Sequence, residues 1–395
     1  MNQGPPPITP VVSVIMPTWN GERFLRHAID SILDQTFTDL ELIVINDGST
    51  DSTAHTLAEY KDERLVVLTN ERNLGIAGAT NRGLAVARGE YIALQDHDDI
   101  SLPQRLQTQV DFLESHAEVA VLGSAATLID DDGIPYAEFP LPCEEIDIKW
   151  RLLFVGDAFH YSSVMVRRSA LLETGGYSED PAFRYSEAYD PFSRLAMCHR
   201  VANLPDKLLL WRRHPGATSF QHAPEQIRSG EIISLRNIAM VANHTYDGAC
   251  HNDQRYLLSG FKAFLSTPPG HFPALPPEQV LSGAEFLCDL QDKFYRLHRF
   301  PRSVVARHRK PLSWMWGKHA IGLAMRAPWD WRARTRSLIL GFSRLWDAAR
   351  ATLVSIVDRS IGRSRPLLSV TVPTIRPLPN APEQPSWTKE PLNAR

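Results

Sequence analysis

The sequence has no long apolar run and little cysteine. None of its 395 residues lie in an uninterrupted apolar stretch near the roughly 18 to 20 residues that a membrane-spanning helix needs. The first ten residues, MNQGPPPITP, lack the basic and apolar regions of a signal peptide, so we expect a cytoplasmic protein. The four cysteines form no CxxC pair, which argues against a zinc site or a disulfide framework and favours buried free thiols: Cys143, Cys198, Cys250 and Cys288.

Two common nucleotide-binding motifs are also absent. There is no GxxxxGK sequence and no GxGxxG after the first predicted strand, which argues against P-loop ATPases and dinucleotide-dependent dehydrogenases. A nucleotidyltransferase would need a basic phosphate-binding loop after that strand, where the segment PTWNGERF offers only Arg23. The hydrophobic content of 43% and the charged content of 22% are those of an ordinary globular protein.

Charge is unevenly distributed along the chain. Residues 1–292 hold 22 Lys and Arg against 40 Asp and Glu, whereas residues 293–365 hold 17 against 3 and include five of the nine tryptophans. Cationic and indole side chains together suit the surface of a membrane, so peripheral membrane contact through residues 293–365 is one interpretation. Packing of this segment on the acidic body, or on another copy, is the other. No nucleic-acid-binding module accompanies the charge, so we expect no nucleic-acid partner.

The first hundred residues alternate strand and helix patterns. Apolar runs predict strands at residues 11–16, 40–45, 65–69 and 90–95, and helical patterns lie between them, including residues 76–87. This alternation predicts an α/β fold with a mostly parallel sheet flanked by helices. A helix over residues 103–115 and a strand over residues 119–122 continue the pattern, and residues 225–300 are mostly helical in composition.

Acidic residues concentrate where these strands end. Asp47 follows the second strand, and Asp96, Asp98 and Asp99 follow the fourth. Open parallel sheets bind ligands beyond the carboxyl ends of their strands, so these side chains are expected to converge. Carboxylates so close together repel one another unless they are solvated or bridged by a cation, and their hard oxygen ligands suit Mg²⁺ or Mn²⁺.

The motifs of the chain resemble those of the family 2 glycosyltransferases, which have the Rossmann-like GT-A fold. The resemblance covers residues 11 to about 219, and the strings occur in the family's order: VSVIMPTWN (12–20), INDGSTDST (45–53), NLGIAGATNRG (73–83), ARGEYIALQDHDD (87–99), HYSSVMVRRSALLETGGY (160–177), EAYDPFSRLA (187–196) and LLLWRRHPGATS (208–219). The resemblance implies a metal-assisted, inverting hexosyltransferase that moves a sugar from a nucleoside diphosphate donor to a glycan or lipid-linked acceptor.

The resemblance also implies roles for individual residues. Asp96 and Asp98 match the family's DxD pair, with Asp98 as the direct ligand of Mn²⁺ or Mg²⁺. Further positions match the nucleotide site: Pro17, Thr18, Asn20 and Asp47, together with Asp96. The diphosphate or acceptor side matches His160, Arg212 and His214.

The sequence departs from the family at the catalytic base. The family's base is the Asp of an ED pair, and here Ala188 occupies that position. Alanine cannot accept a proton, so either Glu187 or Asp190 would have to replace it, with Glu187 preferred because of its longer side chain. The alternative is a catalytically weakened protein that binds sugar nucleotides or acts as a scaffold.

Four regions are therefore expected. Residues 1–10 form a disordered N-terminus, and residues 11–222 form the GT-A domain. Residues 223–365 form a helical, basic and Trp-rich extension, and residues 366–395 form a Pro-rich disordered tail. A cytoplasmic location, at the inner face of the membrane if residues 293–365 bind it, follows from these expectations.

Overall fold

The computed structural model describes residues 9–242 and 289–309 together with Arg344. Within these residues the strands are β1 (Val12–Thr18), β2 (Leu40–Asn46), β3 (Leu65–Thr69), β4 (Tyr91–Leu94), β5 (Ile100–Ser101), β6 (Val119–Ile129), β7 (Pro135–Phe139), β8 (Met165–Arg167) and β9 (Arg200–Arg212). The helices are α1 (Leu25–Leu33), α2 (Thr53–Ala58), α3 (Gly75–Val86), α4 (Arg105–Ser115), α5 (Glu145–Phe154), α6 (Arg168–Glu173), α7 (Tyr189–Cys198), α8 (Thr218–Gln221) and α9 (Ala223–Ala242). Residues 289–298 and 302–309 form two further helical segments.

One nine-stranded sheet organises the described chain. Its strand order is β3-β2-β1-β4-β8-β6-β9-β5, and β7 pairs with β6 beside this path. Strands β3, β2, β1 and β4 are parallel neighbours, whereas β8 runs antiparallel to both β4 and β6. The predicted α/β class is confirmed, with a parallel amino-terminal half and a mixed remainder.

The parallel strands are buried because helices cover both faces of the sheet. Every residue of β1 and β2 is buried, which explains their nearly continuous apolar sequences. Apolar side chains on one face pack with α1, α2 and α4, and those on the other face pack with α3, α5 and α7. Alternate residues of a strand point to opposite faces, so Val14 and Ile15 of β1 belong to different cores.

The predicted elements of the first hundred residues are confirmed, with small differences at their ends. The clearest difference comes later: β6 continues seven residues beyond the predicted end at Leu122, to Ile129. It does so because it pairs with β9 over its whole length and with β7 at its carboxyl end. The prediction of buried thiols is wrong for Cys143 and Cys198, which are both exposed: one lies in the loop before α5 and the other ends α7.

The described part of the basic segment packs on the acidic body. The ring of Phe294 lies 5.3 Å from that of Trp150 on α5, and Lys149 Nζ lies 3.3 Å from His298 Nδ1. Arg307 also approaches Glu144 at 3.8 Å. Intramolecular packing, one of the two interpretations of this segment, therefore holds for residues 293–309. Among the described residues, no helix combines the length and the apolar character needed to cross a membrane.

Several predictions fall on residues outside the described ranges. These are the disordered state of residues 1–8, the helical character of residues 243–288, the helical and Trp-rich character of residues 310–365 apart from Arg344, and the disordered tail from residue 366 onward. Cys250 and Cys288 also lie outside them.

Candidate active site

Three parallel strands end side by side at one edge of the sheet. β1 and β2 pair so that Thr18 lies opposite Asn46, and the N–H of Asp47 donates to the carbonyl of Thr18 at 2.8 Å. β4 pairs with the other side of β1, with Leu94 opposite Ile15. The polar residues that follow β1, β2 and β4 are therefore neighbours, as the parallel topology predicts.

Two loops at this edge are joined by hydrogen bonds in both directions. Asn20 has a left-handed φ of 51°, its N–H donates to Ser49 Oγ at 2.9 Å, and its Oδ1 accepts from the N–H of Thr50 at 2.8 Å. The N–H of Ser52 donates to Glu22 Oε2 at 2.8 Å. Asparagine tolerates the left-handed conformation better than most residues. The loop after β1 is thus fixed to the loop after β2 by hydrogen bonds within the protein itself.

Trp19 is exposed beside this pair of loops. It is not among the residues predicted from the sequence, although it lies between two of them, Thr18 and Asn20. Trp19 is 52% exposed, whereas Thr18 is buried and its Oγ1 has no hydrogen-bond partner among the described residues. An exposed indole at a ligand-binding edge offers a flat apolar surface for stacking. The signal in the sequence is an aromatic residue within an otherwise polar loop that follows a buried strand.

Asp47 is held by its own chain. Its Oδ1 accepts from Asn70 Nδ2 at 2.6 Å and from the N–H of Leu74 at 2.9 Å, and its Oδ2 accepts from the N–H of Gly75 at 2.9 Å. These N–H groups begin α3, where a helix has unpaired donors and favours a carboxylate. Asp47 therefore fixes the start of α3, and a nucleotide would have to share oxygens that these donors already use.

Three carboxylates crowd together after β4. Oxygens of Asp96, Asp98 and Asp99 all lie within 4.8 Å of one another. Burial, and next the negative charge of Asp98, raise the pKa of Asp96 to about 7. Such a cluster of hard oxygen donors at a partly buried position fits a divalent cation of the Mg²⁺ or Mn²⁺ type, whose charge would relieve the repulsion.

Asp99 differs from the other two because it is fully engaged in the structure. It is 2% exposed, its Oδ2 accepts from Ser162 Oγ at 2.5 Å, and its Oδ1 accepts from the N–H of Arg212 at 2.8 Å. Burial and the charges of Asp98 and Asp96 raise its pKa well above the usual value. Asp99 ties β9 and the short 3-10 turn Tyr161–Ser163 to the end of β4, which leaves Asp96 and Asp98 as the partly exposed pair.

His214 and Arg212 reach the cluster from the end of β9 in different ways. His214 Nε2 lies 3.0 Å from Asp98 Oδ2. Burial alone would raise the pKa of Asp98, but the hydrogen bond with His214 and the neighbouring His97 hold it below the usual value. Arg212 is buried, stacks on Phe24 at 4.5 Å, and donates to the carbonyls of Asp98, Asp130 and Asp131. The sequence predicts that Arg212 acts beside the diphosphate or acceptor. In the structure its guanidinium is already used to hold the loop after β4.

His160 lies in an aromatic layer. Its ring centroid is 4.8 Å from that of Phe139 and 4.7 Å from that of Trp211, and its buried Nε2 has no hydrogen-bond partner among the described residues. Burial lowers the pKa of His160 to about 4, so the ring is neutral at pH 7. A neutral, buried imidazole can shape a binding surface but does not offer a positive charge to a phosphate.

The two candidate bases have opposite environments. Asp190 on α7 is 1% exposed and forms ion pairs with Arg194, at 2.7 Å, and with Arg236 of α9. Glu187 lies in the loop before α7 and forms no ion pair within the described residues. Burial raises the pKa of Glu187 above the usual value, although backbone hydrogen bonds and the charge of Arg184 oppose the shift. A general base needs a carboxylate that is not held in an ion pair, a condition that Glu187 meets among the described residues, whereas Arg194 and Arg236 hold Asp190.

The loop that carries Glu187 is clamped by α9. The side-chain Nε2 of Gln226 donates to the carbonyl of Tyr185 at 3.0 Å, and the main-chain carbonyl of Gln226 accepts from Ser186 Oγ at 2.9 Å. The hydroxyls of Tyr189 and Ser234 lie 2.9 Å apart, and His222 stacks on Tyr185 with ring centroids 4.0 Å apart. The position of Glu187 therefore depends on a helix that begins 36 residues after it in the sequence.

Known proteins share this arrangement of motifs. The family described as "Glycosyl transferase family 2" matches residues 13–174. An uncharacterized glycosyltransferase of Haemophilus influenzae is 31% identical over 244 residues, which cover 59% of this chain and 75% of that protein. This chain belongs to glycosyltransferase family 2.

One further relative and one solved structure are also similar. The glucosyltransferase WfgD of Escherichia coli, named for UDP-Glc and alpha-D-GlcNAc-diphosphoundecaprenol, is 41% identical over 103 residues, covering 26% of this glycosyltransferase and 41% of WfgD. The crystal structure of Staphylococcus aureus TarS residues 1–349 has a TM-score of 0.48 and 18% identity, with 88% of this chain and 91% of that chain covered.

Ala188 is the residue at which the resemblance described above predicts the base. Ala188 packs against the hydrophobic core that includes α5 and α7, and it immediately precedes the first residue of α7. Glu187 precedes that position by one residue, whereas Asp190 follows it by two and is held in buried ion pairs with Arg194 and Arg236.

Proposed function

We propose that this glycosyltransferase transfers a sugar from a nucleoside diphosphate donor to a hydroxyl of a glycan or lipid-linked acceptor, with metal assistance and inversion of the anomeric centre. The observation that carries the proposal is the partly exposed Asp96 and Asp98 pair at the end of β4, beside loops that are already fixed. This is the edge at which parallel sheets bind nucleotides.

The donor would bind across the ends of β1, β2 and β4. The exposed indole of Trp19 is suited to stack on the base, and the buried loop around Thr18 and Asp47 would form the floor of the pocket. Asp98, supported by Asp96, would hold Mn²⁺ or Mg²⁺. A divalent cation there would neutralise the charge that accumulates on the leaving nucleoside diphosphate.

Glu187 would accept the proton of the acceptor hydroxyl. Burial raises its pKa, which increases its basicity, and it forms no ion pair among the described residues. As the hydroxyl oxygen forms a bond with the anomeric carbon, the bond to the diphosphate oxygen breaks on the opposite face. The product therefore has the inverted configuration, and the proton remains on Glu187 until solvent removes it.

The acceptor class is supported by sequence similarity. WfgD is named for transfer to a saccharide diphosphoundecaprenol, and other relatives include an amylovoran biosynthesis glycosyltransferase of Erwinia amylovora. We propose an acceptor of the same general class, used in the synthesis of a cell-envelope polysaccharide at the cytoplasmic face of the membrane. Helix α9, the first part of the carboxyl-terminal extension, is proposed to support the acceptor side.

A donor screen tests the proposal. The full chain would be incubated with UDP- and GDP-sugars, Mn²⁺ and short saccharide acceptors, and release of the nucleoside diphosphate would be measured with and without EDTA. We expect release that EDTA abolishes, and NMR of the product should show the inverted anomeric configuration. Consumption of a nucleoside triphosphate instead would contradict the proposal.

The alternative is a protein that binds a sugar nucleotide with little turnover. Ala188 at the position of the family's base is the observation that favours it. Mn²⁺-dependent nucleotide binding without product for any donor and acceptor pair would support this alternative.

A further inference from the structure

Arg213 is held between two aromatic rings on the acceptor side. Its guanidinium carbon lies 4.9 Å from the ring centroid of Trp211 and 4.7 Å from that of Phe220. The N–H of Arg213 donates to the carbonyl of Ile129, which fixes its backbone to β6. The rings and this hydrogen bond together restrict the side chain, so little conformational freedom remains to be lost when the guanidinium binds a partner.

This cation has no ion-pair partner among the described residues. Its guanidinium also donates no hydrogen bond to them, although the charge of Asp99 and the hydroxyl of Tyr136 interact with it electrostatically. Its side chain is partly buried, and a guanidinium remains protonated at neutral pH. A partly buried, unpaired charge is costly, and the planar fork of arginine matches the oxygens of a phosphate. The two-ring arrangement therefore presents an anion-binding group that has no ion-pair partner among the described residues.

The side chains of Arg212 and Arg213 make different contacts. Residues 211–213 lie in an extended segment, where alternate side chains point to opposite sides. Arg212 braces the Asp98 loop, whereas Trp211 and Arg213 share the other side. Trp211 contacts His160 and Phe139 on that side.

The same group adjoins the loop of the proposed base. Phe220 lies two residues before His222, whose ring stacks on Tyr185 at 4.0 Å. Tyr185 is in turn two residues before Glu187. Arg213 is thus connected through Phe220 and the ring of His222 to the loop of the proposed base, and the charge of Asp99 acts on it from the carboxylate cluster.

We propose that Arg213 binds a phosphate of the acceptor, so that the acceptor of this enzyme is a phosphate-bearing saccharide. This inference rests on the proposed function, because it assumes that the Glu187 side of the site receives the acceptor. The donor also carries phosphates, and the test must distinguish the two sources.

The test compares two probes that differ only in the presence of a diphosphate. One is a short-chain alkyl N-acetylglucosaminyl diphosphate, and the other is the same alkyl N-acetylglucosaminide without the diphosphate. Binding of both would be measured by calorimetry to the full chain saturated with Mn²⁺ and UDP or GDP. The variants are Arg213→Gln, Arg213→Lys and, as a matched control, Arg26→Gln, which removes an exposed cation over the ring of Tyr60.

The wild type and Arg26→Gln should bind the diphosphate probe at least about tenfold more tightly than the neutral probe. Arg213→Gln should lose most of this preference, and Arg213→Lys should retain part of it. Both variants should bind Mn²⁺ and nucleotide within about twofold of the wild type, which also shows that they fold. A preference unchanged in Arg213→Gln, or absent in the wild type, would overturn the proposal. An equal loss of nucleotide affinity in Arg213→Gln would also overturn it, because the phosphate would then be the donor's. Failure of the proposed function would appear separately, as no Mn²⁺-dependent nucleotide binding by the wild type.

Discussion

The two sides of the candidate site are built differently. The donor side comes from continuous β-strand and α-helix units within residues 12–99, and its loops are locked by hydrogen bonds among themselves. The acceptor side combines residues 160, 187, 213 and 220 with a supporting helix at residues 223–242. Its two strongest candidates, Glu187 and Arg213, lack an ion-pair partner among the described residues. The comparison indicates that the loops of the proposed donor side are fixed by their own hydrogen bonds, whereas the two charged candidates of the proposed acceptor side have no ion-pair partner among the described residues.

Removal of the expected metal ligand tests the donor side and should have the greatest consequence. Asp98→Ala should abolish Mn²⁺-dependent nucleotide binding and lower transfer by more than about 10³-fold, because it removes the expected direct ligand of the metal. Calorimetry with and without EDTA and a product assay would measure both losses. Asp132→Ala, in the exposed turn between β6 and β7, is the matched control and should behave as wild type.

Replacement of the proposed base separates the effect on catalysis from the effect on nucleotide binding. Glu187→Gln keeps the shape of the side chain but cannot accept a proton, so kcat should fall by about 10²- to 10³-fold with nucleotide affinity unchanged. Glu173→Gln, on the exposed side of α6, is the control. A kcat within a few-fold of wild type would exclude Glu187 as the base.

The pH dependence sharpens this assignment. A carboxylate must be ionised to accept a proton, and burial raises the pKa of Glu187 above its usual value. The wild-type kcat should therefore fall as the pH drops through a pKa above the value of about 4.3 that is ordinary for glutamate. The residual activity of Glu187→Gln should lack this acidic limb, and a limb that persists unchanged would assign it to another group.

A smaller effect tests the clamp formed by α9. Arg236→Ala removes one of the two cations paired with the buried Asp190, which should lower the free energy of unfolding by about 1 to 3 kcal/mol. Because α9 also holds the loop of Glu187, kcat should fall by about tenfold while nucleotide affinity is retained. Chemical denaturation and steady-state kinetics would measure the two effects, with the exposed Arg228→Ala on the same helix as control. Equal losses in both variants would count against the clamp.

The smallest effect concerns the exposed indole. Trp19→Ala should weaken nucleotide binding by about tenfold, since stacking of an aromatic ring on a base contributes about 1 to 3 kcal/mol. Leu172→Ala, which removes a comparably exposed apolar side chain from α6, should have no effect on this affinity. Titration calorimetry with UDP and GDP would compare them.

The sequence predicted the first four strands and the acidic residues at their ends because these signals are local. Buried strands are continuous apolar runs, and their ends are marked directly by Asp47 and by residues 96–99. The sequence could not show which of these carboxylates are already hydrogen-bonded within the protein. Asp99 is engaged by Ser162 and Arg212, more than 60 residues away, and Asp47 is engaged by the start of α3.

The acceptor side was less predictable because its decisive contacts join distant segments. The choice between Glu187 and Asp190 depends on Arg236, which lies 46 residues beyond Asp190. The unpaired state of Arg213 depends on which acidic side chains the fold brings near it, and no local pattern encodes that absence. Family resemblance supplied the positions of His160, Arg212 and His214, whereas only the packing revealed a neutral His160 and a structurally committed Arg212.

The most direct test of the division between the two sides is calorimetric titration of Mn²⁺ and UDP or GDP into the wild type, Asp98→Ala and Glu187→Gln. We expect the wild type and Glu187→Gln to bind the nucleotide with equal affinity and Asp98→Ala to show no metal-dependent binding. Retained binding in Asp98→Ala, or its loss in Glu187→Gln, would contradict the account.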